Sequence, residues 1–252
     1  MPHALLVVIR VLALVYLGFC AVLFFFQRSF IYYPQLSTDD RDTTVLPTEA
    51  ARVLVSVLPK EGQRALIYFG GNAEDVSLNM LSFAVAFPNS AIYLLHYRGY
   101  GGSSGRPSER ALFADALTLF DEVHAKHPEV EVVGRSLGSG VAVYLASSRP
   151  VTRLVLVTPF DSLQDLAASQ FPYVPVRWLL LDKYESGKYA PNVTAPTLII
   201  AAEHDEIVPR ANSELLFSRF KSGLASFKVV AGASHNTISE SPSYVRVLQG
   251  HQ

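Results

Sequence analysis

Val130-Glu131-Val132-Val133-Gly134-Arg135-Ser136-Leu137-Gly138-Ser139-Gly140-Val141 decides the fold. A short β-branched run ends in Gly-Arg-Ser-Leu-Gly, and a helical pattern follows at once. In such a strand–turn–helix passage, G-x-S-x-G holds a serine on a turn so sharp that its backbone is strained. The strand and the helix then approach too closely for a Cβ two residues to either side, so both positions need glycine. A serine held up this way suits nucleophilic attack if a base and an orienting acid are nearby.

Working outward, short runs at 53–58, 65–69, 91–96, 154–157, 197–201 and 226–230 join 130–133 as candidate strands. Several are almost wholly apolar, as strands buried on both faces should be. Helical patterns separate them. The clearest, 108–127, places Leu112, Ala116, Leu119, Phe120 and Val123 on one stripe. Its last turn carries His124, Lys126 and His127, which suit the negative end of the helix dipole. Further helices are expected near Val76, Leu137, Asn212 and Glu240. Strand–helix alternation implies a parallel sheet with right-handed crossovers and a site at the strands' C-terminal ends. Residues 161–195 break the alternation and are the natural place for a cap.

An acid and a histidine follow later strands in the order that such a fold requires. The run at 197–201 leads to Glu203-His204-Asp205-Glu206, and the run at 226–230 leads to Ser234-His235-Asn236. Ser136 is therefore the candidate nucleophile, His235 the base and Asp205 the orienting acid. Glu203, Glu206 and Asp161 compete for the acid's role. His96 precedes the serine, which is the wrong order, and His204 reads as a solvent-facing neighbour. The oxyanion donors are expected to be the N–H of Leu137, next after the serine, and the N–H of Asn72 in the loop Gly70-Gly71-Asn72.

Several classes fall away. The net charge is −1, which gives no basic field for nucleic acid. Half the residues are hydrophobic, which excludes disorder. Cys20 is the only cysteine, so a disulfide framework and a cysteine zinc site are out. No His-Glu-x-x-His pair occurs, so no metal is expected. Gly99-Tyr100-Gly101-Gly102-Ser103-Ser104-Gly105 lacks the lysine of a phosphate loop and misses the dinucleotide fingerprint. No cofactor is expected.

Residues 4–26 are apolar except for Arg10. As a helix they span about 34 Å, enough for a bilayer core of about 30 Å. Phe30, Tyr32 and Tyr33 follow like an interfacial belt. The run exceeds a signal-peptide core, and Phe24-Phe25-Phe26-Gln27 makes a poor cleavage site, so an uncleaved single-pass anchor is expected. Positive-inside counting nearly ties, Arg10 and the α-amine against Arg28 and Arg41; an extracytoplasmic catalytic domain is the orientation expected. The chain then divides into an anchor and interface (1–33), a linker (34–49) and a catalytic domain (50–252) with its cap insertion at 161–195. Removing the anchor should leave every strand in place. Within the cap, Phe171, Tyr173 and Trp178 are candidates for an apolar wall that holds an acyl chain; the alternative is packing on the core beneath.

Taken together, these blocks resemble the Bem-type, membrane-anchored α/β-hydrolases, in the serine aminopeptidase-like branch of the superfamily. The matching stretches include Phe25-Phe26-Gln27-Arg28, Phe69-Gly70-Gly71-Asn72-Ala73, Tyr97-Arg98-Gly99-Tyr100-Gly101 with Pro107-Ser108-Glu109, and Gly134-Arg135-Ser136-Leu137-Gly138. Thr158-Pro159-Phe160-Asp161-Ser162-Leu163, Glu203-His204-Asp205 and Gly232-Ala233-Ser234-His235-Asn236 complete them. The resemblance implies an α/β-hydrolase fold: a mostly parallel sheet with helices on both faces and a short cap, preceded by one transmembrane helix. It also implies a cofactor-free serine esterase, thioesterase or lipase-like hydrolase working through an acyl-enzyme. Animal relatives remove S-acyl chains from proteins. A lipid-like ester substrate and a membrane are the partners expected, with no nucleic acid. The alternatives are a serine peptidase and a non-catalytic binding module. Two departures stand out. The family's His-Gly-Asn is Gly70-Gly71-Asn72 here, which takes away a side chain that braces the loop. No Asp-Gly hairpin precedes residue 53, so fewer strands are expected.

Overall fold

Eight strands among the described residues form one sheet in the order β1-β2-β4-β3-β5-β6-β7-β8. They are β1 (Thr43–Leu46), β2 (Val53–Leu58), β3 (Arg64–Phe69), β4 (Ala91–Leu95), β5 (Glu129–Arg135), β6 (Arg153–Val157), β7 (Thr197–His204) and β8 (Ala225–Ser234). The computed structural model describes residues 2–38, 42–48 and 51–250. β1 and β2 run antiparallel to their neighbours, and all other pairs are parallel. The helices are α1 (Pro2–Ile31), α2 (Met80–Ala86), α3 (Glu109–His124), α4 (Leu137–Ser148), α5 (Leu163–Gln170), α6 (Val176–Leu179), α7 (Ser186–Tyr189), α8 (Arg210–Arg219) and α9 (Tyr244–Leu248).

The pleat sends alternate residues to opposite faces, and both faces are covered. Ala65, Ile67 and Phe69 of β3 enter a core with α3 and α4, through Leu112, Leu119, Val141 and Leu145. Leu66 and Tyr68 enter a second core with Phe83 of α2 and Tyr244 and Leu248 of α9. α3 begins where Ser108 accepts a hydrogen bond from the Ala111 N–H, a side-chain cap of the usual kind. Expected and observed strands agree to within a few residues at every expected position.

Two expectations about organisation are corrected. The segment 34–49 holds strand β1, which pairs with β2 from Thr43↔Ser56 to Leu46↔Val53. Only Leu46 of its four residues is buried, so the strand carries no apolar alternation that a sequence reading could detect. It brings the sheet to eight strands rather than the fewer expected. The expected boundary at 49/50 lies outside the described residues.

The second correction concerns α1. From His3 to Ile31 it is long and apolar, with a mean hydropathy of 2.6, and qualifies as a candidate membrane span by length and composition; its first half is exposed. Its last turns are docked. The Gln27 amide donates to the Leu179 carbonyl at 3.1 Å and accepts from the Leu181 N–H at 2.7 Å. Arg28 pairs with buried Asp182 at 2.9 Å, and the Tyr32 hydroxyl meets Asp182 and the Tyr184 hydroxyl. The helix is therefore part of the domain's packing rather than a detachable anchor.

α5, α6 and α7 form the cap in residues 161–195. Its return to the body is fixed by Glu109, whose carboxylate accepts from the backbone of Lys183 and Tyr184. Burial pushes the Glu109 carboxyl above its usual range, and those backbone donors oppose the shift.

Candidate active site

Ser136 sits between β5 and α4 with φ 49° and ψ −116°. That left-handed φ is strained for a serine, and the surrounding contacts hold it. Its N–H donates to the Val157 carbonyl, while its carbonyl accepts from the Ser139 backbone and hydroxyl. A Cβ on Gly134 would lie 2.5 Å from the Gly138 carbonyl oxygen, and one on Gly138 would lie 2.1 Å from that of Phe69. Both glycines of the motif are therefore sterically required, as the sequence argument expects.

The loops after β7 and β8 bring the other groups to Ser136. Asp205 accepts from the N–H groups of Ile207 and Val208, a turn that aims its carboxylate inward. His235 Nδ1 lies 2.9 Å from Asp205 Oδ2, and Nε2 lies 2.9 Å from Ser136 Oγ. Both the imidazole and the carboxylate are nearly inaccessible to water. With the Nδ1 proton directed at Asp205, Nε2 presents its lone pair to the serine hydroxyl. Of the competing acids, Glu206 is exposed on the surface and the other two are occupied elsewhere. Asp161 pairs with Arg219, and Glu203 accepts from the Gly232 N–H. The His204 side chain is exposed, and His96 is buried against Ser56 Oγ at 2.7 Å.

Asn72 and Leu137 line the same cavity as Ser136. The loop that carries Asn72 is tightly held, which corrects the expectation of a missing brace. Glu74 accepts from the Gly71 N–H at 2.7 Å and from Tyr68 Oη at 2.6 Å. The Gly70 carbonyl accepts from Tyr97, and the Asn72 carbonyl accepts from the Tyr33 N–H and Tyr100 Oη. The Tyr97-Arg98-Gly99-Tyr100 turn thus serves as a buttress. A Cβ on Gly70 would fall 2.5 Å from a Val76 methyl, so a side chain there would force Val76 to move.

Arg135, the variable residue inside the motif, links two of these loops. It donates to the carbonyls of His235 and Asn236 and stands 3.5 Å from Glu74. Burial raises the Tyr68 hydroxyl well above its usual pKa, so it stays a neutral donor to Glu74. Sequence reasoning missed Glu74, Arg135, Tyr97 and Tyr100. Arg135, Tyr97 and Tyr100 lie in the blocks that carry the resemblance and Glu74 directly follows one, but nothing there marks which side chains point at a loop.

The cavity over Ser136 has a volume of about 450 Å³, ordinary for a small-molecule site. Its walls are apolar, with Leu163, Leu166 and Val176 from the cap and Leu23, Phe30 and Ile31 from α1. No charged side chain lines it among the described residues. Of the three expected wall residues, Phe171 lines the cavity. Tyr173 and Trp178 do not: they are 88% and 89% exposed on the cap's outer edge. Aromatic character marked them, but α6 is a single turn whose inward position is Val176.

Comparison with known proteins places this geometry in a lineage. A family model described as serine aminopeptidase, S33, matches residues 183–242. An uncharacterized protein of Mycobacterium tuberculosis is 36% identical over 249 residues, covering 91% of this chain and 87% of its own. Protein bem46 of Schizosaccharomyces pombe is 28% identical over 233 residues, covering 86% and 75%. The lysophosphatidylserine lipase ABHD12 of Mus musculus is 32% identical over 182 residues, but only 61% of this chain and 46% of that protein are covered. Among solved structures, a monoacylglycerol lipase from Paleococcus ferrophilus has the same fold, with a TM-score of 0.61 at 18% identity over 80% of this chain and all of that one. With the serine elbow, the eight-stranded sheet and relatives aligned along nearly its whole length, the chain belongs to the Bem46-type α/β-hydrolases.

Proposed function

We propose that the protein is a membrane-tethered serine hydrolase that cleaves carboxylic esters or thioesters of lipid-like acyl groups. The observation that carries this reading is the hydrogen-bonded row from Asp205 through His235 to Ser136, opening into an apolar cavity. Ser136 Oγ attacks the acyl carbon as His235 Nε2 takes its proton. The negative oxygen of the tetrahedral intermediate faces the N–H groups of Leu137 and Asn72. His235 returns the proton to the leaving alcohol or thiol, and water then releases the acyl group by the same steps in reverse roles. Asp205 fixes the imidazole tautomer and stabilises the imidazolium. The chemistry needs no cofactor and no metal.

The lipase name of the ABHD12 relative and the uncharged walls both support an acyl substrate. They weigh against an aminopeptidase, which needs an acidic partner for the substrate's free amine. A fluorophosphonate probe tests the nucleophile: wild type should be labelled and Ser136→Ala should not. Labelling of Ser136→Ala, or none of wild type, would overturn the assignment. Each methylene buried by the acyl chain adds about 0.8 kcal/mol, so kcat/KM should rise about tenfold or more from acetyl to medium-chain esters. A maximum at acetyl would reject the acyl cavity.

A further inference from the structure

The cap and α1 touch along a greater length than a tether needs. The Tyr16 hydroxyl donates to the Tyr173 carbonyl at 2.8 Å, and twelve residues later Arg28 pairs with Asp182. At about 1.5 Å per residue, the cap edge follows the helix for about 18 Å. The candidate membrane span runs from His3 to Ile31, and Tyr16 sits near its middle, so a span that crosses the bilayer carries the cap edge bonded at Tyr16 into it.

The exposed surface of that edge suits such a medium. Tyr173 and Trp178 are exposed at 88% and 89%, beside Phe171 at 57% and Leu181 at 53%. Aromatic rings of this kind favour the boundary between headgroups and acyl chains. Backbone polar groups must be bonded internally where water is excluded. Here Pro172 and Pro175 have no N–H to satisfy, and the N–H groups of Val174, Val176, Trp178, Leu179 and Leu180 donate within the cap. The Leu181 N–H and the carbonyls of Tyr173 and Leu179 are bonded to side chains of α1. Arg177, the charged group on this edge, pairs with Asp165 at 2.8 Å.

We propose that the cap edge formed by Phe171, Tyr173, Trp178 and Leu181 is immersed in the lipid bilayer beside α1. The cavity over Ser136 lies between those two elements, with Leu23 and Phe30 on one wall and Phe171 on the other. An acyl chain then reaches the serine from the membrane without passing through water. This deepens the hydrolase reading above and rests on it for the identity of the substrate, while the immersion itself does not depend on catalysis.

Trp178 is the chain's only tryptophan, so its fluorescence reports on this edge alone. The full chain would be reconstituted into phosphatidylcholine vesicles with bromine on the acyl chains. Immersion predicts blue-shifted emission, quenching by the bromines and loss of quenching by aqueous iodide. Water-like emission quenched by iodide overturns the proposal; blue-shifted emission that bromine does not quench also overturns it, pointing to a protein partner or a second copy. A second measurement uses Trp178→Asp, which lies outside the cavity. It should hydrolyse a vesicle-embedded long-chain ester at least tenfold more slowly while turning over a water-soluble short ester as wild type does. Equal rates on both esters would overturn the access route. Fluorophosphonate labelling of Ser136 in the same vesicles reads the catalytic assignment separately, so failure of one is not mistaken for failure of the other.

Discussion

The two sides of the cavity are built by different means. On one side, Ser136, Asp205 and His235 stand on loops that leave β5, β7 and β8, adjacent or near-adjacent strands in the parallel part of the sheet. Their mutual distances follow from strand spacing and from turns tied within a few residues. On the other side, α1 and the cap meet through contacts between residues about 150 positions apart, such as Gln27 with Leu179 and Arg28 with Asp182. The contrast separates reaction from recognition: the sheet fixes the reacting groups, and the helix–cap pair shapes the space for the substrate.

The largest effect belongs to the sheet side. Asp205→Asn keeps a hydrogen bond to His235 but favours the wrong tautomer, and should lower kcat by as much as about 10⁴. Asp161→Asn should be mild, since that carboxylate pairs with Arg219. Rates on a p-nitrophenyl ester with unchanged circular dichroism check both. A reversed pattern would move the acid to the strand before.

Deleting residues 1–28 probes the other side. Sequence alone suggests that a soluble domain remains that still turns over short esters, because every strand survives. The structure predicts otherwise. Leu23 and Gln27 leave the cavity wall, and buried Asp182 loses its cation. Losing contact with about two methylenes of substrate is worth about tenfold in kcat/KM for a medium-chain ester. Short esters should be less affected, and the melting temperature should fall because the buried Asp182 carboxylate is left with the Tyr32 hydroxyl alone. An unchanged chain-length profile in the truncated protein would break the division drawn here.

How much could be read in advance follows the same division. The elbow announces itself because a strained turn flanked by close packing leaves a glycine signature. Asp205 and His235 were legible because each follows an apolar strand in the required order. Strand β1 was not, because an edge strand with one buried residue has no period to detect. Trp178 and Tyr173 were misplaced because apolar character is equally consistent with a cavity wall and with a surface facing lipid. The docking of α1 was hidden because a continuous apolar helix gives no sign of which turn meets protein.

Glu74 tests whether the sheet side is as rigid as its distances suggest. Glu74→Gln weakens the acceptor that holds the Gly71 N–H, and it loosens the link through Arg135 to the His235 loop. The reacting groups remain, but the Asn72 donor is free to drift, and small misplacements cost up to about 10² in rate. We expect kcat to fall about tenfold to a hundredfold with KM unchanged. A change in KM alone would mean that Glu74 shapes binding rather than the position of the oxyanion donors.

The smallest expected effect is on stability, and it isolates the sheet from the cap. His96 is buried just past the end of β4, with Nε2 2.7 Å from Ser56 Oγ. Burial lowers its pKa from the usual 6.5, and the nearby Asp75 opposes the shift only in part. Between the lowered folded value and 6.5, the unfolded chain binds a proton that the folded chain does not, so stability rises with pH in that window. The His96 contribution is thus complete above about pH 6.5 and is lost as the pH falls through the folded value. Urea midpoints should drop on acidification from pH 7.5, and His96→Gln should flatten part of that slope. Because His96 bonds to the sheet and not to α1 or the cap, the slope should be the same with residues 1–28 removed. If truncation changes it, the two sides of the cavity are thermodynamically coupled, and the separation between a fixed reacting side and an independently docked recognition side fails.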